Sequence, residues 1–161
     1  MIEFHNVTKR YGKTAALDHL NFSISESGIY CLLGKNDTRK TTFMKLTAGY
    51  IKASEGMIAV GSSTVSTHHM PENVNFIESM ATQFNMRIGD LLTMAAGLRD
   101  TFDGDFAREM AEKFGLDPHK KLKQLSLGMK AILNTILALA NNAKIVLLDE
   151  PTLGFDVIMR K

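Results

Sequence analysis

Apolar and polar residues alternate in two stretches near the start of the chain. MIEFHNV (1–7) and LNFSIS (20–25) both show this pattern, which predicts strands with one buried face. Two shorter apolar runs, GMIAVGS (56–62) and NVNFI (73–77), predict two further short strands. The first 77 residues are therefore expected to be rich in β-structure.

Two other runs are apolar without alternation. GIYCLL (28–33) and the IVLL of KIVLLDE (144–150) predict strands that are buried on both faces. The first run leads into a loop at Gly34, and TTFMKLTAG (41–49) then predicts a helix that ends at Gly49. Polar residues follow both runs directly. We therefore expect an open α/β sheet with a ligand site at the carboxyl edge of its strands.

The middle of the chain has a helical pattern. Phe106, Met110 and Phe114 recur at four-residue spacing, and Asp103 is placed to cap their helix. A further helix is predicted at 128–141, with an apolar face formed by Ile132, Leu133, Ile136 and Leu137. The pattern predicts a helical insertion between strands, with a helical subdomain at about 84–127.

The composition predicts one compact domain. The chain has 161 residues, is 45% hydrophobic and carries a formal net charge of +2. This small charge gives no reason to expect a nucleic-acid partner, and the basic stretch HKKLKQ (119–124) is interpreted as a solvated loop. The single cysteine, Cys31, cannot form an intramolecular disulfide and is expected to be buried as a small hydrophobic residue.

No stretch of the sequence has the features of a membrane anchor or a signal peptide. Polar residues interrupt the N-terminal segment. The longest apolar candidate, AILNTILALA (131–140), is short and contains Asn134. We expect a cytosolic chain, for which a membrane role requires a partner.

A polar segment follows each of the two runs that are predicted to be strands buried on both faces. GKNDTRKTT (34–42) approaches the phosphate-loop pattern GxxxxGK[ST], with Arg39 in place of the glycine before Lys40. Asp149 and Glu150 end the second run, where two solvated acids are the simpler interpretation. Phosphoryl transfer, however, needs a cation, a hydroxyl group, a carboxylate for Mg²⁺ and a group that positions water. Lys40, Thr41, Asp149 and Glu150 supply these groups in turn.

The order of these motifs resembles that of the ATP-binding cassette (ABC) transporter ATPase domain. KRYGKTAAL (9–17) resembles its A-loop region, GKNDTRKTT its Walker A loop and AGYIKASEGMIAVG (48–61) the following segment. QLSLGMK (124–130) resembles its signature, IVLLDEP (145–151) its Walker B motif and TLGFD (152–156) its D-loop. The resemblance implies an α/β P-loop NTPase fold over residues 1–161. It also implies an ABC-type sheet, an N-terminal antiparallel β subdomain and a helical insertion.

The resemblance implies a role for each motif residue, with ATP and Mg²⁺ as cofactors. Tyr11 would stack on adenine, and Glu150 would orient the attacking water. Lys40 would contact the β- and γ-phosphates, and Thr41 and Asp149 would hold Mg²⁺. The other nucleotide-binding positions implied by the family are Gly34, Asn36, Thr42, Ser126, Gly128 and Asp156. Among these, Ser126 and Gly128 would face ATP on a second ATPase subunit, or they only cap a helix.

The implied function is that of an ATPase that powers export through a separate transmembrane permease. Such a subunit would lie in the cytoplasm at the inner face of the cell membrane. The stretches FIESMATQFNMRIGDLL (76–92) and KKLKQLSLGMK (120–130) are similar to small one-domain exporters of Gram-positive bacteria. Two alternatives are a catalytically dead regulatory or fragmentary ABC domain and a non-transport ABC ATPase.

This sequence departs from the family pattern at several positions. Arg39 and Asp37 replace glycines of the phosphate loop, and Arg39 would add about 1–3 kcal/mol of strain if its backbone needed a glycine conformation. We therefore expect weakened ATP affinity. The signature carries Leu127 and Met129 in place of a glycine and a glutamine. The five histidines all precede Asp149, so a C-terminal part with the family's switch histidine is expected to be missing. An exposed sheet edge would follow.

Overall fold

The computed structural model describes residues 1–34, 38–66, 69–78 and 85–152. The chain divides into two compact units, Met1–Val74 and Asn75–Lys161. Each unit has its own arrangement of strands and helices, and each is described by itself.

The first unit is built on a four-stranded antiparallel sheet in the order β2-β1-β3-β4. Its strands are β1 (Ile2–Tyr11), β2 (Thr14–Ile24), β3 (Glu55–Val60) and β4 (Ser63–Thr64). The two N-terminal strands and the strand near 56–62 are confirmed. Ile2 and Phe4 of β1 are buried and His5 is exposed, as the alternation predicted. A register shift between Phe4 and Val7 then interrupts the alternation, and Val7 and Thr8 are both buried.

Helix α1 (Thr38–Thr47) is held by aromatic packing. The Phe43 ring stacks on Phe4 with centroids 4.6 Å apart, and Phe22 meets Phe43 edge-on at 5.3 Å. Such pairs stabilise by about 0.5–1.5 kcal/mol beyond the area they bury. The helix ends before Gly49, whose φ of +76° favours glycine, so the predicted end of this helix is confirmed.

A close approach between β1 and β3 requires a glycine. Gly56 has a φ of +85°, and a Cβ atom there would overlap the carbonyl oxygen of Asn6. Asn6 itself adopts a φ of 52°, beside a shift in register between His5 and Thr8. This bulge bends β1 against β3 and leaves no space for a side chain at position 56.

The second unit is mainly helical. It contains α2 (Ile88–Leu98), α3 (Gly104–Lys113), a short 3₁₀ helix (Leu122–Gln124) and α4 (Leu127–Ala140). Strand β5 (Val74–Ile77), which starts at the last residue of the first unit, pairs with β6 (Ile145–Leu148). The helices enclose an apolar core formed by Ile88, Leu92, Phe102, Ala107, Ala111, Leu116, Leu122, Leu125, Ile132, Leu133, Ile136 and Ala140.

Side-chain caps begin two of these helices. The Asp103 carboxylate accepts a hydrogen bond from the Phe106 amide at 2.9 Å, which confirms the cap predicted for α3. The buried face of α3, however, is formed by Ala107 and Ala111, and Phe114 lies half exposed at the C-terminal end. Four-residue spacing therefore identified the helix but not its most buried face.

The prediction that residues 28–33 form a strand buried on both faces is wrong. They have no regular secondary structure, and Ile29 and Leu33 are among the most exposed apolar residues. Cys31 is exposed as well. An apolar run becomes a buried strand only if neighbouring strands pair with its backbone, and no strand in the described ranges pairs with these residues.

The second apolar run does form a strand, but all four residues of β6 are half-buried. Because β5 is the strand paired with β6 in the described part of the chain, the sheet covers β6 less fully than predicted. Within those ranges, no helix combines the length and the hydropathy that a membrane crossing requires.

We predict that Gly56→Ala destabilises the first unit much more than Gly61→Ala. Both glycines have positive φ values, but a Cβ atom at Gly61 would have no other atom within 4 Å. The Gly61 variant should therefore lose only about 1–2 kcal/mol of unfolding free energy. Steric overlap at Gly56 should bring the loss to about 3 kcal/mol or more. Urea unfolding of both variants measures the difference, and equal losses would contradict the close approach.

Candidate functional site

The first turn of α1 carries the lysine of the phosphate-loop pattern. The Lys40 ammonium donates a hydrogen bond to the Gly34 carbonyl oxygen at 2.8 Å. Lys40 is half-buried, Arg39 beside it is exposed, and no acidic residue lies in the first turn of this helix. Two cations thus lie at the end of the helix where the macrodipole is positive, an arrangement that an anion would stabilise.

Arg39 is the second residue of α1 and adopts a right-handed helical conformation, in which an arginine costs little. The condition under which Arg39 would add backbone strain, a glycine-type conformation, is therefore not met. What distinguishes Arg39 from a glycine in this structure is its bulk and its charge.

The remaining positions of the loop differ in exposure. Thr41 is half-buried, whereas Thr42 is 2% exposed and belongs to the buried polar residues of the first unit. Gly34 is exposed and contacts the Lys40 side chain. Asn36 and Asp37 lie outside the described residues, so their implied roles stay predictions.

Tyr11, the residue implied to stack on adenine, lies at the end of β1. It is 49% exposed. The Lys9 ammonium lies 5.1 Å from the centroid of its ring, within the range of a cation–π interaction. The exposed aromatic ring is thus held in place and remains accessible to a planar ligand.

The carboxyl end of β6 carries the two acidic residues. The Asp149 amide donates to the Ile77 carbonyl oxygen at 3.2 Å, so Asp149 continues the pairing of β6 with β5. Glu150 is exposed and has a φ of 49°. The left-handed region is unusual for a glutamate and costs about 1–2 kcal/mol. Strain of this kind concentrates at functional positions.

The signature-like segment begins α4. The Ser126 hydroxyl accepts a hydrogen bond from the Met129 amide at 3.2 Å, which makes Ser126 the N-cap. Gly128 is buried within the first turn. The capping interpretation is therefore correct for Ser126, and a role toward a second subunit's ATP stays a prediction. Asp156 lies outside the described residues.

A small cavity lies beside Asp149 and Glu150, and its wall includes a residue that the sequence analysis did not assign to a site. The cavity measures about 20 Å³. Asn134 of α4 lines it and is only 6% exposed. The signal in the sequence was Asn134, an amide within the mainly apolar stretch AILNTILALA (131–140).

Comparison with known proteins identifies the family. A sequence model of the family described as ABC transporter matches residues 17–153, which is more than half of the chain. The fold is that of an α/β P-loop NTPase of the ABC type. The chain belongs to the ABC transporter family.

Individual relatives support the same assignment. The lantibiotic transport ATP-binding protein SrtF of Streptococcus pyogenes is 30% identical over 160 residues, covering 98% of this chain and 69% of SrtF. The spermidine/putrescine import ATP-binding protein PotA of Protochlamydia amoebophila is 27% identical, covering 99% of this chain and 45% of PotA. The dimeric ATP-binding cassette MJ0796, solved with ADP and Pi, matches with a TM-score of 0.78 at 20% identity, covering 98% of this chain and 77% of that chain.

Membership places the chain among the ATP-binding subunits of ABC transporters, which are nucleotide-binding ATPases by family. Because one relative is named for lantibiotic transport and another for import, the family does not fix the direction of transport.

We predict that Glu150→Gly increases the free energy of unfolding by about 1 kcal/mol, because glycine adopts a φ of 49° without strain. Glu150→Gln is the matched control, since it removes the charge but keeps a side chain in the same backbone conformation. The control should leave stability within about 0.5 kcal/mol of the unmodified chain. Urea unfolding measures both, and a less stable glycine variant would show that Glu150 is not strained.

Proposed function

We propose that this chain is the ATP-binding subunit of an ABC exporter, in which ATP hydrolysis drives movement of a substrate through a separate membrane subunit. Family membership supports the ATPase part of the proposal. The observation that carries the assignment to this site is the first turn of α1, whose residues 38–41 include the cations Arg39 and Lys40 and no acidic residue.

The electrostatics of this turn favour a polyphosphate. A cation at a helix N-terminus is unfavourable by about 0.3–1 kcal/mol, and here two lie side by side. The Lys40 ammonium donates to the Gly34 carbonyl oxygen. The β- and γ-phosphates of ATP would offer it stronger, charged acceptors. Backbone amides at the start of α1 would donate to the same phosphates.

The chemistry of the candidate ligands also fits Mg²⁺. The Thr41 hydroxyl and the Asp149 carboxylate are hard oxygen ligands, and Mg²⁺ in nucleotide sites is held by one or two such groups together with phosphates. When bound, the ion would neutralise charge on the phosphates. Glu150 would orient the attacking water, and Tyr11 would stack on the adenine.

The remaining assignments concern neighbours of this site. Gly34, Asn36 and Thr42 would complete the phosphate loop. Ser126 and Gly128 would face the nucleotide of a second ATPase subunit, and Asp156 would be a further nucleotide-binding position. The helical subdomain would span about 84–127. We assign the chain to the cytoplasmic face of the membrane beside a permease. The export direction rests on the similarity to SrtF, a lantibiotic transport protein by name.

Arg39 weakens this site in our proposal. Its exposed side chain lies next to Lys40 in sequence, in the turn that would receive the phosphates. Its bulk would obstruct the close approach of the phosphates to the backbone that a glycine allows. Its charge would attract them, so the net effect depends on whether obstruction exceeds attraction. We propose that obstruction exceeds it and that ATP binds less tightly than it would to a glycine loop.

We predict that Arg39→Gly lowers the Kd for Mg·ATP by about tenfold in an isothermal titration, which corresponds to roughly 1.4 kcal/mol. Arg99→Gly is the matched control, because Arg99 is exposed and extended at the end of α2. This control removes the same charge and should leave the Kd unchanged. Lys40→Ala should weaken binding in either background.

Equal Kd values for Arg39→Gly and the unmodified chain would contradict the obstruction. Absence of binding in both would contradict the proposed nucleotide site itself. A third result favours the second candidate function, a regulatory ABC domain that pairs with an intact ATPase. In that case the unmodified chain binds no Mg·ATP, whereas Arg39→Gly does.

A further inference from the structure

A buried amide lies directly behind the acidic end of β6. Asn134 is on α4, where it lines the cavity together with Ala131 and Thr135, and it is 6% exposed. No side-chain hydrogen bond within the described ranges involves the Asn134 amide, although nearby polar side chains such as Asn75 and Thr135 have partners. Buried amides are almost always hydrogen-bonded, so this one calls for a partner.

The cavity that Asn134 lines has the size and polarity to supply that partner. Its volume of about 20 Å³ exceeds the roughly 10–15 Å³ that one water molecule needs. Its wall is formed by Ile77, Ala131, Asn134, Thr135, Leu148, Asp149, Glu150 and Pro151. An ordered water in such a space needs two to four polar partners, and the amide and the two acidic residues offer them.

We propose that Asn134 is a positioning residue, which holds one ordered water between its amide and the acidic residues at the end of β6. The water restricts the carboxylates of Asp149 and Glu150, and in doing so it keeps the candidate Mg²⁺ ligand and the candidate water-orienting group in place. The catalytic part of this inference rests on the proposed function. The hydration part does not.

The proposed role fits the hydrogen-bonding chemistry of the Asn134 amide and of the two carboxylates. An amide can donate to a water that donates onward to a carboxylate, and it can also accept from that water. Groups that orient a metal ligand from behind typically change activity or metal affinity by about 10–100-fold when removed. The left-handed backbone of Glu150 is a second unfavourable feature at the same cavity.

The first test is a high-resolution crystal structure of the unmodified chain. We expect one ordered water within hydrogen-bond distance of the Asn134 side chain and of Asp149 or Glu150. A dry cavity, or a water bound to Asn134 alone, would overturn the proposal. This readout needs no ATP turnover, so it separates the inference about Asn134 from the proposed ATPase function.

The second test is Asn134→Leu, which keeps the branched shape and the number of side-chain heavy atoms and removes the amide. We expect kcat for ATP to fall by about tenfold, with KM changed less than twofold, and the melting temperature to stay level or rise, because a buried polar group is lost. Asn141→Leu, at the C-cap of the same helix, is the matched control and should leave kcat unchanged. Asn134→Ala provides a second variant if the leucine impairs folding.

Unchanged kcat in a folded Asn134→Leu or Asn134→Ala chain would overturn the positioning role. An equal loss of kcat in Asn141→Leu would do the same, because it would show a general sensitivity of α4. If the unmodified chain has no ATP turnover, the proposed function fails, and the ordered water alone decides whether Asn134 acts on the acidic residues.

Discussion

The packing of α1 on the first sheet determines where the cations of the phosphate loop lie. Phe43 of α1 stacks on Phe4 of β1, and Phe22 of β2 meets both rings edge-on. These contacts fix the helix by its apolar face and leave its first turn, with Lys40, at the edge of the core. A substitution that weakens the Phe4–Phe43 stack should therefore displace Lys40, even with every residue of the loop unchanged. Aromatic packing thus supports an electrostatic site.

Two residues of the second unit have features that are unfavourable for folding, and both lie at the candidate site. Glu150 occupies a left-handed conformation, and Asn134 is buried without a side-chain partner among the described residues. Each feature is unfavourable for folding. Both border the same cavity at the end of β6. Unfavourable features of this kind cluster at functional sites. Because both occur at the carboxyl end of β6, they support a functional role for this end of the strand.

Local sequence patterns predicted most helices and strands, but they did not predict how far the two apolar runs are buried. Alternation identified β1 and β2, and a cap identified α3, because these signals depend on nearby residues. The run at 28–33 was predicted to be buried, yet burial depends on strands elsewhere in the chain that must pair with it. The strain at Glu150 could not be predicted either, because it arises from the path of the backbone after β6. Motif order, in contrast, was sufficient to identify the family.

The most direct test of the central claim is a crystal structure of the chain with Mg²⁺ and a non-hydrolysable ATP analogue. We expect the Lys40 ammonium to leave the Gly34 carbonyl oxygen and to donate to the β- and γ-phosphates at the first turn of α1. A nucleotide bound elsewhere, or a bound nucleotide with Lys40 still on Gly34, would show that this turn is not the phosphate site.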